Sequence, residues 1–200
     1  MPEQILRATQ WHTNGAMMAD VAKLGYLEGS VLDATYGHGI FWRTFQPEVL
    51  VSNDLTPTKG DLHHNFRSFP FSDQMFNCVV FDPPYKVAGT TGMPGSGTDY
   101  TVYGITYKPN RDVRSLIEDG VRECARVAKT HLLVKCMDQV ASTDMWWQTD
   151  QITEIARDCG FRKVDRFDLL RSAPRPLARG VTQRHAAANY STLLVFRRQR

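Results

Sequence analysis

The chain has 200 residues, 42% of them hydrophobic, 22% charged and 10% aromatic, which suits one globular domain, or one with an appendage, and excludes a disordered chain, a collagen-like fibre and a disulfide mini-scaffold. Its net charge of +3 is uneven: residues 1–168 carry 17 Lys and Arg against all 21 Asp and Glu, whereas residues 169–200 carry seven Arg and no acid. A basic end on a mildly acidic body points to a polyanion partner or to a solvated Arg-rich tail.

Asn14 to Gly25 reads as a helix, with Ala16, Met17, Val21 and Leu24 apolar and a glycine stop. Ser30 to Asp33 is a short strand entering the glycine turn Tyr36-Gly37-His38-Gly39, and a short helix follows through Phe41, Trp42 and Phe45. Glu48 to Asn53 is the next strand, ending on Asp54, and Thr56 to Asp73 is loop-like. Phe76 to Phe81 is a buried-type strand that runs into Asp82-Pro83-Pro84-Tyr85. The glycine-rich stretch 86–109 is a long loop, and loops of that length in a compact domain commonly carry function. Asp112 to Lys129 is the strongest helix, with an apolar stripe of Val113, Leu116, Ile117, Val121, Cys124, Ala125 and Val127. His131 to Cys136 is a strand and Thr149 to Cys159 a helix stopped by Gly160. Phe161 to Leu170 and Tyr190 to Arg198 alternate as antiparallel strands do, with a basic excursion between them. Alternating strands and helices predict a doubly wound α/β sheet closed by a reversed strand, with ligands beyond the carboxyl ends of the strands.

The apolar runs are too short to cross a bilayer and no signal core opens the chain, so no membrane role and a cytoplasmic location are expected. Cys78, Cys124, Cys136 and Cys159 have no paired spacing, which predicts buried free thiols rather than zinc or disulfides. His63-His64 has no Cys or carboxylate at ligand spacing, so no metal is expected.

Asp33-Ala34-Thr35-Tyr36-Gly37-His38-Gly39 places two glycines where a chain leaving a strand must turn sharply and approach a ligand closely. A dinucleotide loop needs a third glycine, but position 42 is Trp, which favours a nucleoside without pyrophosphate. Asp54 lies 21 residues after Asp33, one strand–helix–strand crossover away, where an acid accepts hydrogen bonds from ribose hydroxyls. In Gly60-Asp61-Leu62, Asp61 suits an adenine amine and Leu62 the ring face; the competing reading is a surface turn. In Asp82-Pro83-Pro84-Tyr85, prolines donate no N–H, so a carboxylate, a rigid carbonyl and an aromatic face stand together. A base amine is a poor nucleophile because its lone pair is delocalised. Hydrogen bonds to Asp82 and the Pro83 carbonyl would localise that pair while Tyr85 stacks on the base.

These motifs resemble the class I S-adenosylmethionine-dependent DNA amino-methyltransferases, of the adenine-N6 or cytosine-N4 type. Lys135-Cys136-Met137-Asp138-Gln139 and Asn189-Tyr190-Ser191-Thr192 are similar to segments of DNA methylases of bacterial viruses. The resemblance implies a Rossmann-like domain with a seven-stranded, mostly parallel sheet whose last strand is reversed. It implies S-adenosylmethionine as cofactor. Asp33, Thr35, Gly37 and Gly39 would cradle its methionine part, Asp54 with Leu55 the ribose, and Asp61 with Leu62 the adenine. Asp82 would border the cofactor too, and His12 and Thr13 would approach its carboxylate. Asp82, Pro83, Pro84 and Tyr85 would be catalytic, with adenine N6 favoured because Asp opens the tetrapeptide.

The whole chain would then be one methyltransferase domain, with 86–111 a substrate loop and 171–189 a basic excursion as insertions. No large recognition domain is present, so those segments, a specificity-giving partner or a homodimer would supply target choice. Tyr100, Tyr103 and Tyr107 would fold over a flipped base or simply pack, and Arg171, Arg175, Arg179 and Arg184 would contact phosphates. Lys135 would support the cofactor side or snorkel to water. Trp146-Trp147 reads as packing at a helix start. Competing readings are an RNA or tRNA base methyltransferase, with RNA the lesser partner than DNA, and a silent fold that binds nucleic acid. Restriction–modification, gene regulation and viral evasion would all use the same site.

Overall fold

A computed structural model describes residues 10–85, 111–141, 144–170, 184–186 and 189–200. The long loop, its three tyrosines, and Arg171, Arg175 and Arg179 lie outside the described residues.

In chain order the elements are β1 (Gln10–Trp11), α1 (Asn14–Lys23), β2 (Ser30–Asp33), a 3-10 turn (Ile40–Trp42), β3 (Val49–Ser52), β4 (Phe76–Phe81) and α2 (Arg111–Val127). Then come β5 (Ala128–Cys136), β6 (Gln139–Ala141), β7 (Asp144–Trp146), α3 (Gln148–Asp158), β8 (Phe161–Leu170) and β9 (Tyr190–Arg198). Among the described residues, seven strands form one sheet in the order β1-β8-β9-β5-β4-β2-β3, and β6 and β7 form a separate antiparallel pair. Every pairing in the large sheet is parallel except those of β9, the last strand, which is antiparallel to β5 and β8. This is the expected Rossmann-like sheet. The sequence missed the dipeptide strand β1 on one edge and the short β6–β7 hairpin; the expected helix through Phe45 is a single 3-10 turn ending at Trp42, and Ala128 and Lys129 open β5 instead of closing α2.

The inner strands read as unbroken apolar runs because both of their faces are covered. Leu32, Val79, Phe81, Leu132, Val134, Leu194 and Phe196 pack with the stripe of α2 and with Ile152, Ile155 and Ala156 of α3. Their neighbours Val31, Cys78, Val80, Leu133, Leu193 and Val195 pack on the other face with Met17, Met18 and Val21 of α1 and with Phe41 and Trp42. The period-two alternation of the strands thus sorts one sheet between two helical layers. In α1, Ala16 is exposed and Leu24, 44% exposed, caps the helix rather than packing. Cys78, Cys124 and Cys136 are buried free thiols, Cys159 is a half-buried one, and burial pushes the first three up from their ordinary range.

The strand order reverses beside β2: β3 lies to one side of it, β4 and β5 to the other. Loops leaving β2 and β4 therefore diverge, which opens a crevice over their carboxyl ends. No helix among the described residues is long and apolar enough to cross a membrane.

Candidate functional site at the carboxyl edge of the sheet

Four strands deliver polar side chains to this crevice. Asp33 ends β2, Asn53 and Asp54 follow β3, Asp82 follows β4, and Lys135 lies one residue before the end of β5.

After β2 the chain turns through Gly37 and Gly39, both in the left-handed region with φ of 59° and 62°. Only glycine holds that conformation without strain. A Cβ on Gly39 would come within 2.6 Å of the Tyr36 hydroxyl, whereas one on Gly37 would meet nothing nearer than the Thr35 carbonyl at 3.9 Å. The Gly37 backbone therefore borders open space at the strand end, as close approach by a ligand requires. The turn is pinned from β3: the Tyr36 amide donates to the Asn53 carbonyl at 2.8 Å, and the Gly37 amide to the Asp54 carboxylate at 2.8 Å. The other Asp54 carboxylate oxygen accepts from the Thr56 amide at 2.8 Å. Each oxygen has a second lone pair, so Asp54 retains acceptor capacity for hydroxyls.

Asp33 is buried, its two oxygens accepting from the Thr35 amide at 3.0 Å and the Trp42 indole at 2.6 Å. Trp42, standing where a dinucleotide loop has its third glycine, is thus a working part of this turn. Burial pushes the Asp33 carboxyl up to about 7, and the charges of Asp82 and Asp54 add to that; the hydrogen bonds from Trp42 and Thr35 oppose it.

Gly60-Asp61-Leu62 lies against the end of β3. Leu62 bridges Asn53 in parallel, and the Asp61 carboxylate accepts from the Ser52 hydroxyl at 2.5 Å while the side chain stays exposed. Leu55 and Leu62 are half-buried beside it. The segment is a one-bridge extension of the sheet, adjoining the acid that ends β3.

Asp82 is anchored by its backbone, whose amide donates to the Thr35 hydroxyl at 2.8 Å. Its carboxylate, 22% exposed, lies 3.5 Å from the ammonium of Lys135. Pro83 is buried and Pro84 half-buried. The Tyr85 carbonyl accepts from the Gln139 and Gln148 side-chain amides at 2.6 and 2.7 Å, and its ring packs on the core. Both glutamines are fully buried, and Gln148 also accepts from the Met137 amide at 3.1 Å. This double clamp fills the lone pairs of the Tyr85 carbonyl and ties the tetrapeptide to the starts of β6 and α3. The Asp138 carboxylate joins it by accepting from the Thr149 amide and hydroxyl, both at 2.9 Å.

Lys135 does not reach water. It is buried, with its ammonium 2.9 Å from the Asn14 amide oxygen and 5.2 Å from the centre of the Phe41 ring. His12 and Thr13 are exposed just before α1, and the Thr13 hydroxyl caps that helix by accepting from the Ala16 amide at 3.2 Å. Trp146 is buried under the Arg114 guanidinium, 4.7 Å from its ring centre, while Trp147 is 54% exposed. Arg184 is exposed. Among the described residues, no cluster of three or more His, Cys, Asp or Glu is arranged to hold a metal.

The sequence matches no protein-family model and no curated protein. Solved structures match it by fold. A chain from the complex between the Haloferax volcanii Trm112 methyltransferase activator and its methyltransferase aligns at 15% identity over 96% of this chain and 90% of its own, with a TM-score of 0.57. Magnesium protoporphyrin IX methyltransferase from Synechocystis PCC 6803, solved with bound SAH and with bound SAM, aligns at 12% identity over 93% of this chain and 81% of its own in the SAH form, with a TM-score of 0.56. The fold is that of the class I S-adenosylmethionine-dependent methyltransferases.

Proposed function

We propose that this chain transfers the methyl group of S-adenosylmethionine to the exocyclic amine of a DNA base, adenine N6 in the first place. The observation that carries the reading is the single hydrogen-bonded frame at the strand-order reversal. Through Thr35, it ties the glycine turn after β2 to the Asp-Pro-Pro-Tyr segment after β4. A cofactor pocket and an amine-holding tetrapeptide thus share one wall.

The residues present fit that cofactor. The open backbone at Gly37 and the acids Asp33 and Asp54 suit an amino-acid tail and a ribose, with Leu55 beside Asp54 and with Asp61 and Leu62 for adenine. His12 and Thr13 stand at the start of α1, on the layer that faces Lys135. The cofactor, when bound, supplies a methyl group already activated on a sulfonium.

The chain's own contribution is positioning. Asp82 and the Pro83 carbonyl accept hydrogen bonds from the two amine N–H groups, which localises the nitrogen lone pair towards the methyl. Pro84 fixes the turn, and Tyr85, half-buried with its ring packed on the core, would offer the base only the part of that ring left exposed. Attack is direct, so no cysteine takes part. An amine paired within a duplex must be flipped out to reach Asp82.

A nucleic-acid substrate is supported by where the basic excursion is rooted. Leu170, the end of β8, pairs with Tyr190, the start of β9, and Thr192 pairs with Cys136, so the excursion leaves and rejoins the sheet at the carboxyl edge. Arg171, Arg175, Arg179 and Arg184 would there contact phosphates, contributing affinity rather than sequence choice. The Haloferax volcanii complex of a methyltransferase with an activator lends support to a protein partner.

The test is methyl transfer from labelled S-adenosylmethionine to unmethylated DNA, with RNA in parallel, and identification of the product nucleoside by mass. N6-methyladenine in DNA is expected. N4-methylcytosine, or label in RNA alone, would move the reading to another base or polymer.

A further inference from the structure

Lys135 has a buried ammonium whose described surroundings leave it under-compensated. Its side chain is 6% exposed, and a buried ammonium costs several kcal/mol in lost hydration unless its donors are paired. Of its three N–H groups, one meets the neutral Asn14 oxygen at 2.9 Å, and the Asp82 carboxylate stands at 3.5 Å, the long limit of a hydrogen bond. The Phe41 ring offers a face but no lone pair.

Two independent features of the same corner favour an incoming carboxylate. Asn14, the partner of Lys135, opens α1, and the first turn of that ten-residue helix carries no acid to balance its positive end. Asp33, Asp54 and Asp82 stand at the same carboxyl edge, on neighbouring strands, so among the described residues the crevice sets three acids beside the buried Lys135. That pattern complements a zwitterion, with cationic groups towards the acids and the carboxylate towards the lysine. A phosphate backbone would not be read by an ammonium buried beneath Asp82.

We propose that Lys135 binds the α-carboxylate of the cofactor's amino-acid tail, with Asn14 holding its ammonium in place. This rests on the cofactor reading above. It makes the lysine a determinant of binding for nucleosides that carry the tail, and of no consequence for those that lack it.

Calorimetric titration of the full chain with S-adenosylhomocysteine and with 5′-methylthioadenosine, which lacks the tail, tests it. Lys135→Met is expected to weaken the first by about tenfold or more and to leave the second within about twofold, the second ligand also reporting a folded site. Unchanged affinity for S-adenosylhomocysteine, as a mere counter-ion to Asp82 would give, overturns the proposal, and so does equal weakening of both ligands. Should the variant not fold, wild-type protein decides: decarboxylated S-adenosylhomocysteine is expected to bind about tenfold more weakly than the intact molecule, and equal binding overturns the assignment. Wild type that binds neither nucleoside would overturn the cofactor reading and this one together. Discrimination against the tail-less ligand that persists in Lys135→Met would overturn this one alone.

Discussion

The backbone amide of Asp82 donates to the side-chain hydroxyl of Thr35 at 2.8 Å, across 47 residues of sequence. One hydroxyl therefore sets the spacing between the glycine turn and the tetrapeptide. Thr35→Val keeps the shape and removes the acceptor, leaving a half-buried amide unpaired. A loss of about 1–3 kcal/mol is expected in urea unfolding, with Thr35→Ser close to wild type. Equal stability of the valine and serine variants would show that the strut does not matter.

Asp33 gives the fold a pH dependence of known sign. Its carboxyl titrates near 7 when folded, against an ordinary 3.8. Between those values the folded chain holds a proton that the unfolded chain has released, so stability falls as pH rises through that window. The contribution is fully present below about pH 4 and lost above about pH 7. Asp33→Asn cannot titrate and is expected to gain on wild type between pH 4.5 and 7.5, by on the order of 2 kcal/mol. Urea midpoints at the two pH values check it, and a constant difference would contradict it.

The two amides on the Tyr85 carbonyl predict a split between stability and binding. Gln148→Ala removes one donor from that carbonyl and the acceptor of the Met137 amide, in a site with no exposure. A loss of about 2–3 kcal/mol is expected, with a lower kcat and little change in S-adenosylhomocysteine affinity, because the cradle after β2 is untouched. Chemical denaturation, calorimetry and steady-state rates read the three quantities. A fall in cofactor affinity equal to the fall in kcat would mean that the clamp serves both halves of the site.

At Gly39 an added methyl would strain a φ of 62° and come within 2.6 Å of the Tyr36 hydroxyl. Gly39→Ala is expected to cost about 1–2 kcal/mol from the backbone alone and to weaken cofactor binding as the turn shifts. Thermal unfolding with and without S-adenosylhomocysteine measures both, and an unchanged ligand-induced shift would contradict the second part.

Much of this was legible in the sequence, for physical reasons. Strands β2, β4 and β5 are apolar on both faces, so their runs stand out without alternation, and the acid after each falls at the carboxyl edge by chain direction alone. The direction of β9 came out as expected, but not for the reason expected: Ser191 to Phe196 are buried without a break, so β9 is a two-faced inner strand rather than an alternating one. What escaped depends on distant partners. A lysine near a strand end normally reaches water, and only Asn14, 121 residues away, with Asp82 and Phe41, keeps Lys135 inside. Gln139 and Gln148 look like surface residues until both are found on one carbonyl. Trp42 registered as a missing glycine, although its indole is the group that holds Asp33.

The central claim is that Asp82 borders the cofactor and holds the amine, and that its loss falls on the methyl-transfer step far more than on cofactor affinity. Single-turnover methyl transfer to unmethylated DNA by wild type and Asp82→Ala, with S-adenosylhomocysteine affinity measured on the same samples, tests it most directly. The account predicts N6-methyladenine with wild type, a rate lowered by about 100-fold or more in the variant, and affinities within about threefold of each other. Transfer by Asp82→Ala at the wild-type rate would contradict it.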